Sequence, residues 1–561
     1  SNAWAIAGAP AAGRAAMIAG DPHRLLELPN VYQQVRLACP EFDVIGLAFP
    51  GVPGVPHFGH AGTVAWAITN AMADYQDLYR EQLRRTGERV EVREADGWAP
   101  AHRHVEQIAV RDGEPVTVEV IETARGPVID FDRATGEAIS LRTPNRVTGR
   151  LGFEALLSLL RARYVDDVAD ALRQWVEPVN SVLAADRTGT VVSFVAGLVP
   201  VRDERCRREP VPAWDPRYHW SQDSYAPLPR RTVPDIVVNA NDRRGDVAEL
   251  GFDFAPPHRA HRIRELLERQ TPAPAVHTDT LVANPSLRDL LTRLDETALP
   301  DAAAHLRARL VAWDGRMDAD SADAGAFAAW RGALVRRLAD HPRLRPLRAP
   351  SRFDELFTPW TDPVAQIGIS LDAVVAGLRR LGDDVESLAV DALVDVASGP
   401  EPGTWGQRHT LQPVRLPVAP DVDALTDGCR GVALRGDSNA VCATASVPGV
   451  SDACWRGPVA RYVWDLGDRA NSRWIVPFGA SGRPGDPHFA DQLPLWAAGE
   501  LIPVPSGPAR PPTSGSDEET TGSDRTTVYE ETLPDLGRLT LVVLDPARDA
   551  ELVHAWVTQD R

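Results

Sequence analysis

The sequence predicts an α+β fold in which a helical region interrupts a β-rich chain. Apolar residues alternate in short segments bounded by Gly and Pro over residues 1–255, and from about residue 258 to 400 they recur at helical spacing. Strand-like segments return between residues 431 and 477. Strands, then helices, then strands indicate a layered α+β architecture.

The first region is expected to form antiparallel sheets, because its strand-like segments are short and end at turn residues. The expected strands are 4–7, 15–19, 42–47, 63–68, 116–121 and 181–185. In the second region Arg and Asp fill the polar face of four expected helical stretches, which are 258–269, 301–313, 321–339 and 371–397.

Composition divides the chain into three parts. Residues 1–504 carry the strand and helix patterns and are long enough to bury a large core. Residues 505–527 are Pro, Ser, Gly, Thr and acidic residues, which predicts a disordered acidic linker. Residues 528–561 form a separate C-terminal segment.

The charge balance argues against nucleic acid and membranes as partners. The chain of 561 residues has 78 acidic and 60 basic residues, and its formal charge of −18 repels phosphate backbones and anionic membrane surfaces. No apolar run approaches the roughly 20 residues of a membrane-spanning helix. All 60 basic residues are Arg, so catalysis by a Lys side chain is excluded.

The five cysteines lack the spacing of a zinc site. Three of them, Cys429, Cys442 and Cys454, lie close together in the sequence. The sequence is compatible with one disulfide within this group and also with free, buried thiols.

Ser1 combines a hydroxyl with an α-amine on one residue. A serine hydroxyl needs a neighbouring base, and an N-terminal amine with a reference pKa of roughly 7.7–8.0 can act as that base. Ser-Asn-Ala is also a familiar remnant of tag removal, which would carry no functional meaning. The motifs that follow have to distinguish these interpretations.

Four motifs after the first residue favour the catalytic interpretation. They are Ser1-Asn2-x-Trp4, Asp-Pro-His at 21–23, Phe-Pro-Gly-x-Pro-Gly at 49–54 and Trp-x-x-Thr-Asn at 66–70. Segments at 238–242, 254–263 and 479–492 agree with them. Together they resemble the penicillin acylase (penicillin amidase) family of N-terminal-nucleophile hydrolases, and in particular the β subunit released when the precursor cleaves itself before a serine.

The resemblance implies a fold and an activity. The fold is a four-layer αββα sandwich with an inserted helical region at about 258–400. The activity is hydrolysis of a small-molecule amide, such as a β-lactam, a lipopeptide, a siderophore or a similar secondary metabolite. An acyltransferase that uses the same site and an inactive member that acts as a binding module are the alternatives.

The resemblance also assigns catalytic roles. Ser1 Oγ is the nucleophile, its own amine is the base, and no cofactor is needed for catalysis. The backbone N–H of Asn70 and the side-chain amide of Asn241 stabilise the oxyanion. Arg262 is expected to hold Asn241 and the amine. His23 is expected beside the amine as a secondary polar partner, or else as an ordinary structural histidine.

Three residues are expected at the substrate, namely Pro22, Arg24 and Phe58. Many family members carry an aromatic or aliphatic residue where this chain has Arg24. An Arg side chain in the acyl pocket would favour a polar or anionic acyl group over phenylacetyl. The alternative is an Arg that points into solvent, since Arg is almost never buried unpaired.

The family usually holds a structural calcium ion, and the matching loop contains Asp74, Gln76 and Asp77. Carboxylates and carbonyls are suitable hard ligands, and Asp253 is a further candidate. A solvated acidic turn is the alternative.

The resemblance further implies an α subunit from the same precursor and a location outside the cytoplasm, in the periplasm or secreted. The C-terminal segment, 528–561, resembles the opening strand and helix of acetyltransferases that acylate hydroxamate siderophores. A fusion of that kind would place the protein in the cytoplasm. The alternative is a last strand and helix that close the acylase domain.

Overall fold

The structure is a computed structural model that describes residues 1–9, 13–221, 223–245, 247–349, 361–415, 428–505, 527–533 and 537–542. The chain divides into two compact units, Ser1–Pro505 and Ser506–Arg561. Within the described residues, no helix combines the length and the apolar character needed to cross a bilayer.

The strands, numbered along the chain, are β1 (Asn2–Ile6), β2 (Met17–Asp21), β3 (His23–Leu25), β4 (Glu27–Leu28), β5 (Gln33–Ala38), β6 (Asp43–Ala48), β7 (Phe58–His60), β8 (Val64–Asn70), β9 (Asp77–Thr86), β10 (Arg89–Glu94), β11 (Gly97–Pro100), β12 (His102–Ile108), β13 (Val116–Thr123), β14 (Gly126–Phe131), β15 (Glu137–Arg142), β16 (Asn180–Asp186), β17 (Val191–Ala196), β18 (Val211–Pro212), β19 (Arg230–Val233), β20 (Ile236–Asn239), β21 (Val414–Arg415), β22 (Ala445–Val447), β23 (Ser451–Pro458), β24 (Arg461–Asp465), β25 (Arg473–Ile475), β26 (Ile502–Pro503), β27 (Thr527–Leu533) and β28 (Gly537–Val542).

The α-helices are α1 (Pro144–Thr148), α2 (Glu154–Arg161), α3 (Val165–Ala171), α4 (His258–Glu268), α5 (Ala273–His277), α6 (Pro285–Arg293), α7 (Asp301–Ala312), α8 (Ala322–Leu338), α9 (Pro363–Ile369), α10 (Leu371–Arg380), α11 (Val385–Ala397), α12 (Trp405–Arg408) and α13 (Leu493–Ala498). Short 3₁₀ helices are Leu172–Gln174, Pro216–Tyr218, Glu296–Ala298, Pro342–Arg348 and Arg469–Asn471.

Two sheets form the centre of the first unit. One has six strands in the order β20-β1-β2-β24-β25-β26, and the other has seven in the order β19-β17-β16-β8-β7-β6-β5. In the first, β1 pairs with β2 on one side (Asn2 with Asp21) and with β20 on the other (Ala3 with Asn239). This register brings the ends of β2 and β20 to the start of the chain.

The two sheets stack face to face because side chains alternate along each strand. Ala3 on β1 belongs to one core cluster with Ala65 on β8, so the two sheets share this interior. The next residue, Trp4, faces the other way and packs with Ile263 of α4. The outer face of the seven-stranded sheet, including Trp66, packs against α2 and α3. The four-layer αββα prediction is therefore confirmed.

Helices α6 to α12 have an apolar core of their own, which runs from Val282 on the loop before α6 to Ala440. Helices α4 and α5 instead cover the six-stranded sheet. The stretch expected to be helical over residues 371–397 is two helices, α10 and α11. Gly382 lies between them with φ +78, a conformation that ends a helix and suits glycine.

A third sheet of eight strands continues from β9, in the order β11-β10-β9-β15-β14-β13-β12, with β18 parallel to β9. The loop of residues 71–76 thus connects β8, in the seven-stranded sheet, to β9, in this third sheet.

In the second unit, β27 and β28 form an antiparallel hairpin in which Leu533 pairs with Gly537. The linker predicted for residues 505–527 lies outside the described residues except at its two ends. So does the chain beyond Val542, where the acetyltransferase-like helix was expected.

Candidate active site

Ser1 lies where β1, the end of β2 and the segment after β20 meet. Its α-amine donates a hydrogen bond to Asn241 Oδ1 at 2.7 Å. Its Oγ accepts one from the main-chain N–H of His23 at 3.3 Å. Residues that are 240 and 22 positions away in the sequence therefore contact the two functional groups of one serine.

Asn241 is held in a backbone conformation that few residues tolerate. Its φ is +63, in the left-handed region that Asn enters more readily than most side chains. Its own N–H donates to Asn239 Oδ1 (3.0 Å), and its C=O accepts from Ala255 N–H (2.8 Å). The side-chain amide is thereby fixed, with Oδ1 toward Ser1 and Nδ2 donating to Asn70 O at 2.9 Å.

Asn70 ends β8 and presents its main-chain groups to Asn241. In the antiparallel ladder, Ala71 N–H donates to Val179 O (3.2 Å), so the N–H and C=O of Asn70 point to the opposite edge. The Asn70 C=O accepts the bond from Asn241 on that edge. The Asn70 N–H thus faces the same side as the Asn241 amide, as expected for two oxyanion donors. Their catalytic role stays a prediction.

The arginine beside Ser1 is Arg259, which the sequence interpretation missed. Its Nη1 donates to Ser1 O (3.0 Å) and its Nη2 to Ala240 O (2.7 Å). Nη1 also contacts Asn2 Oδ1. Arg259 is buried. It therefore joins the carbonyl of the nucleophile to the segment that carries Asn241.

The prediction that Arg262 holds Asn241 and the amine is wrong. Arg262 lies on the same helix, α4, but its guanidinium pairs with Asp279 (Nε to Oδ2, 2.9 Å) and with Glu265 (2.9 Å). Side chains three residues apart leave a helix about 60° apart, so Arg259 and Arg262 face different neighbours. Sequence spacing does not distinguish Arg259 from Arg262. What distinguishes Arg259 is its burial in the first turn of α4, which the structure shows.

The surroundings of the Ser1 amine favour its neutral form. Burial lowers the pKa of the amine well below its ordinary value of 8.0. The charge of Arg259 lowers it further, the charge of Asp21 opposes this, and that of Arg456 adds to the lowering. A neutral amine keeps the lone pair that a general base needs.

A buried carboxylate beside the site binds two histidines. Asp21 Oδ1 accepts from His23 Nε2 (2.8 Å), and Oδ2 accepts from His277 Nδ1 (2.7 Å). Both His277 and Asp21 have fully buried side chains. These hydrogen bonds and nearby charges outweigh burial and hold the pKa of Asp21 far below its usual range.

His23 therefore contacts Ser1 through its main chain, while its ring is turned to Asp21. Burial lowers the pKa of His23 well below 6.5, and the charge of the nearby Ser1 amine lowers it further. His23 thus lies beside Ser1, but its contact is with Oγ, and its expected role as a polar partner of the amine stays a prediction. His277 lies on α5 with no sequence motif to mark it.

An aromatic cluster of Tyr32, Phe49, His57, Phe58 and Tyr462 extends from the site. Phe58 and Tyr462 have ring centroids 4.9 Å apart, and Tyr32 lies 5.5 Å from Phe58. A side chain at Gly20 would collide with both the Tyr462 hydroxyl and the carbonyl of Asn2, so none would fit there. The cluster thus reaches Gly20, which pairs with Ala3 of β1.

Of the three expected substrate residues, Phe58 belongs to this cluster and Arg24 lies beside it. Phe58 is buried within it, and Pro22 is buried with its carbonyl accepting from Val459 N–H at 2.9 Å. Arg24 is exposed, and its guanidinium lies 5.0 Å from the centroid of Phe49. The exposed guanidinium of Arg24 therefore lies over the ring of Phe49. Whether these residues bind substrate stays a prediction.

The loop expected to bind calcium does not fit a metal ion. The carboxylates of Asp74 and Asp77 both pair with Arg202, and Gln76 and Asp253 are exposed. Burial outweighs the ion pair and raises the pKa of Asp77 to about 6, so Asp77 is ionised at neutral pH. In the part of the chain that the structure describes, no three His, Cys, Asp or Glu side chains are grouped to hold a metal.

None of the five cysteines forms a disulfide, so the disulfide left open within residues 429–454 does not form. Cys39 is exposed, and the other four are buried.

Known proteins are similar to this chain in sequence or in fold. The family model described as penicillin amidase matches residues 1–512. Penicillin acylase 2 proenzyme from Pseudomonas sp. (strain SE83) is 35% identical over 526 residues, covering 90% of this chain and 66% of that protein. Acyl-homoserine lactone acylase QuiP from Pseudomonas aeruginosa is 27% identical over 588 residues, covering 91% of this chain and 67% of that protein.

Among solved structures, the thermostable penicillin G acylase from Alcaligenes faecalis superimposes with a TM-score of 0.62 at 17% identity, covering 90% of this chain and 96% of that chain. This likeness concerns the fold. The chain spans about two thirds of the length of the two Pseudomonas relatives. On the match across residues 1–512, the chain belongs to the penicillin amidase family.

Proposed function

We propose that the chain is the catalytic subunit of an N-acyl amide hydrolase that works through an acyl-Ser1 intermediate. The observation that carries the proposal is the setting of Ser1. Its amine donates to Asn241 Oδ1 at 2.7 Å and has a lowered pKa, while its Oγ is held by the His23 N–H. Nucleophile and base are thus present on one residue.

In the first step, Ser1 Oγ attacks the carbonyl carbon of the amide, and the neutral amine takes the Oγ proton, directly or through a water molecule. The carbonyl oxygen becomes an oxyanion. The N–H of Asn70 and Nδ2 of Asn241 face one side and are the donors that we assign to it. Loss of one such donor typically costs 10²–10³-fold in kcat, or about 3–4 kcal/mol.

In the second step, the protonated amine gives its proton to the leaving nitrogen as the C–N bond breaks, which leaves an ester on Ser1. The neutral amine then takes a proton from water, and the resulting hydroxide attacks the ester. Collapse releases the carboxylic acid and restores Ser1. An amine in place of water would give acyl transfer from the same intermediate.

The substrate that we propose is an N-acylated small molecule such as a β-lactam, a lipopeptide or a siderophore. Two relatives are named penicillin acylase and acyl-homoserine lactone acylase, which supports this class. The aromatic cluster, which reaches Gly20 on the strand beside β1, supports an acyl group with apolar surface. The cation of Arg24 above Phe49 supports a polar or anionic end on that acyl group.

We also propose an α subunit from the same precursor. The relatives are longer than this chain, and one of them is named a proenzyme. A subunit from the missing third of such a precursor would complete the substrate site. The location outside the cytoplasm remains a proposal from the same resemblance.

The function is tested by labelling the purified enzyme with phenylmethylsulfonyl fluoride and mapping the modified peptide by mass spectrometry. We expect one label per chain, on Ser1, with loss of hydrolysis of phenylacetyl, glutaryl and fatty-acyl amides in parallel. The Ser1→Ala variant is the control and should neither label nor hydrolyse. No label on Ser1, together with binding of the amides, would support the binding module instead.

A further inference from the structure

The side chain of Arg202 lies within a set of oxygen atoms that would suit a metal ion. Its Nε donates to both carboxylate oxygens of Asp77 (2.9 and 2.7 Å). Its Nη1 donates to Pro200 O (3.0 Å), and its Nη2 donates to Asp74 O (3.1 Å) and lies 3.3 Å from Asp74 Oδ1. Two carboxylates and two main-chain carbonyls therefore surround one guanidinium.

This set of oxygens belongs to the chemistry of a hard divalent cation, which takes carboxylates and backbone carbonyls. Here it is filled from within the chain. The side chains of Arg202 and Asp77 are 2% and 0% exposed. A calcium ion would have to displace the guanidinium, because two cations cannot share the same oxygen atoms in a buried place.

The residues around Arg202 connect to the catalytic segment. Asp74 lies on the loop that follows Asn70, between β8 and β9, and Asp77 is the first residue of β9. Within that loop, Met72 has φ +57, and its N–H donates to Asn70 Oδ1 at 2.7 Å. Asp74 N–H donates to Leu250 O at 2.7 Å. A cation between the two carboxylates thus holds the loop that leaves Asn70.

We propose that Arg202 takes the place of a divalent cation in this fold. It pairs with the carboxylates of Asp77 and Asp74, of which Asp74 also pairs with Arg207 at 3.3 Å. Arg202 ties the loop of Asp74 to the segment at Pro200 and removes the need for calcium at this position. The same oxygens form a latent calcium site, which becomes available when the guanidinium is removed. The proposal concerns the stability of the chain and does not depend on the activity proposed above.

The test compares the purified, processed protein with an Arg202→Gln variant at pH 8. For the wild type we expect the same Tm with EDTA and with 1 mM CaCl₂, and no calcium retained after desalting. For Arg202→Gln we expect a Tm lower by roughly 5 °C or more in EDTA, as for the loss of one partner of a buried pair. Calcium should restore at least about half of that loss, with about one ion bound per chain by elemental analysis.

Arg331→Gln is the matched control. Arg331 is also buried, with a side chain 4% exposed, but it pairs with a single carboxylate, that of Asp437, at 2.8 Å. We expect this variant to lose stability without any response to calcium. Magnesium, which prefers a tighter octahedral shell, should stabilise Arg202→Gln less than calcium does.

Three results would overturn the proposal. They are a wild type that retains calcium or loses Tm in EDTA, an Arg202→Gln variant with the wild-type Tm, and a variant that calcium stabilises no more than the Arg331 control. If Arg202→Gln is recovered only when calcium is present during expression and purification, the proposal is supported. If the variant cannot be recovered at all, the proposal is tested by the wild type alone, through its calcium content after desalting and the change of its Tm in EDTA.

Discussion

The amide of Asn241 connects Ser1 to Asn70: its Oδ1 accepts from the Ser1 amine at 2.7 Å, and its Nδ2 donates to Asn70 O at 2.9 Å. The two bonds fix which way the amide faces. One hydrogen of a neutral Ser1 amine is then used on Oδ1, which leaves the lone pair free for the Oγ proton. One side chain thus contacts both the Ser1 amine, which we propose as the base, and Asn70, and it carries the Nδ2 that we propose as an oxyanion donor.

We expect Asn241→Ala and Asn241→Gly to lower kcat by about 10²–10³-fold, because both remove the Nδ2 donor. The two variants should differ in stability. Alanine at φ +63 is strained by roughly 1–2 kcal/mol, whereas glycine is not, so Asn241→Ala should have the lower Tm. Steady-state kinetics on the best amide and scanning calorimetry measure the two effects. Activity within threefold of wild type in Asn241→Gly would contradict the assignment.

The pH profile tests the role of Arg259. The base must be neutral, so kcat/KM falls as pH drops through the pKa of the Ser1 amine. Burial and then the Arg259 charge lower that pKa, which extends activity to lower pH. We therefore expect Arg259→Gln to move the acid limb of kcat/KM to higher pH.

Arg262→Gln is the matched control for Arg259, since it lies three residues further along α4 and pairs with Asp279 and Glu265. Its acid limb should coincide with that of the wild type. Equal shifts in both variants would show that the helix, and not the charge beside Ser1, sets the profile.

Asp21→Asn should lower the free energy of unfolding by roughly 3 kcal/mol, because the amide cannot accept from both His23 and His277. The pKa of Asp21 is depressed below its ordinary value of 3.8, so its contribution is present above that pH and is lost only as the pH falls further. Calorimetry should therefore give the same deficit at pH 6 and pH 8. The exposed Asp223→Asn variant should match the wild type, and a deficit of similar size there would refute the argument.

Arg24→Leu should lower the preference for glutaryl over phenylacetyl amides. An exposed ion pair contributes up to about 1 kcal/mol, which corresponds to about a fivefold change in the ratio of kcat/KM values. Arg24→Lys keeps the charge and should keep most of the preference. An unchanged ratio in Arg24→Leu would show that this side chain is only a solvated arginine.

Iodoacetamide should modify one thiol in the folded chain, Cys39, since it alone of the five is exposed. Burial raises the pKa of Cys206 to about 12, and it also raises the pKa of Cys429, Cys442 and Cys454. Four further thiols should react in denaturant. Mass spectrometry of the native and unfolded reactions counts them.

Much of the site follows from short motifs. Ser1, His23, Asn70 and Asn241 each lie in a segment whose local pattern is recognisable, and the structure brings all four together. The αββα layers could be predicted because apolar residues alternate along the strands, whereas in the helical region they recur at helical spacing. His277 could not be predicted, because its partner, Asp21, lies 256 residues away and no motif surrounds it.

The sequence by itself determined the family and singled out Ser1 and the Asn241 amide that faces it, since these depend on motifs read along the chain. Tertiary structure decided which arginine serves the site and what holds the loop after Asn70. Arg259 and Arg262 differ by less than one turn of α4, so only the packing of that helix on the sheet selects one of them. Arg202 reaches Asp77 across 125 residues, and folding alone places a guanidinium where two carboxylates had suggested a calcium ion.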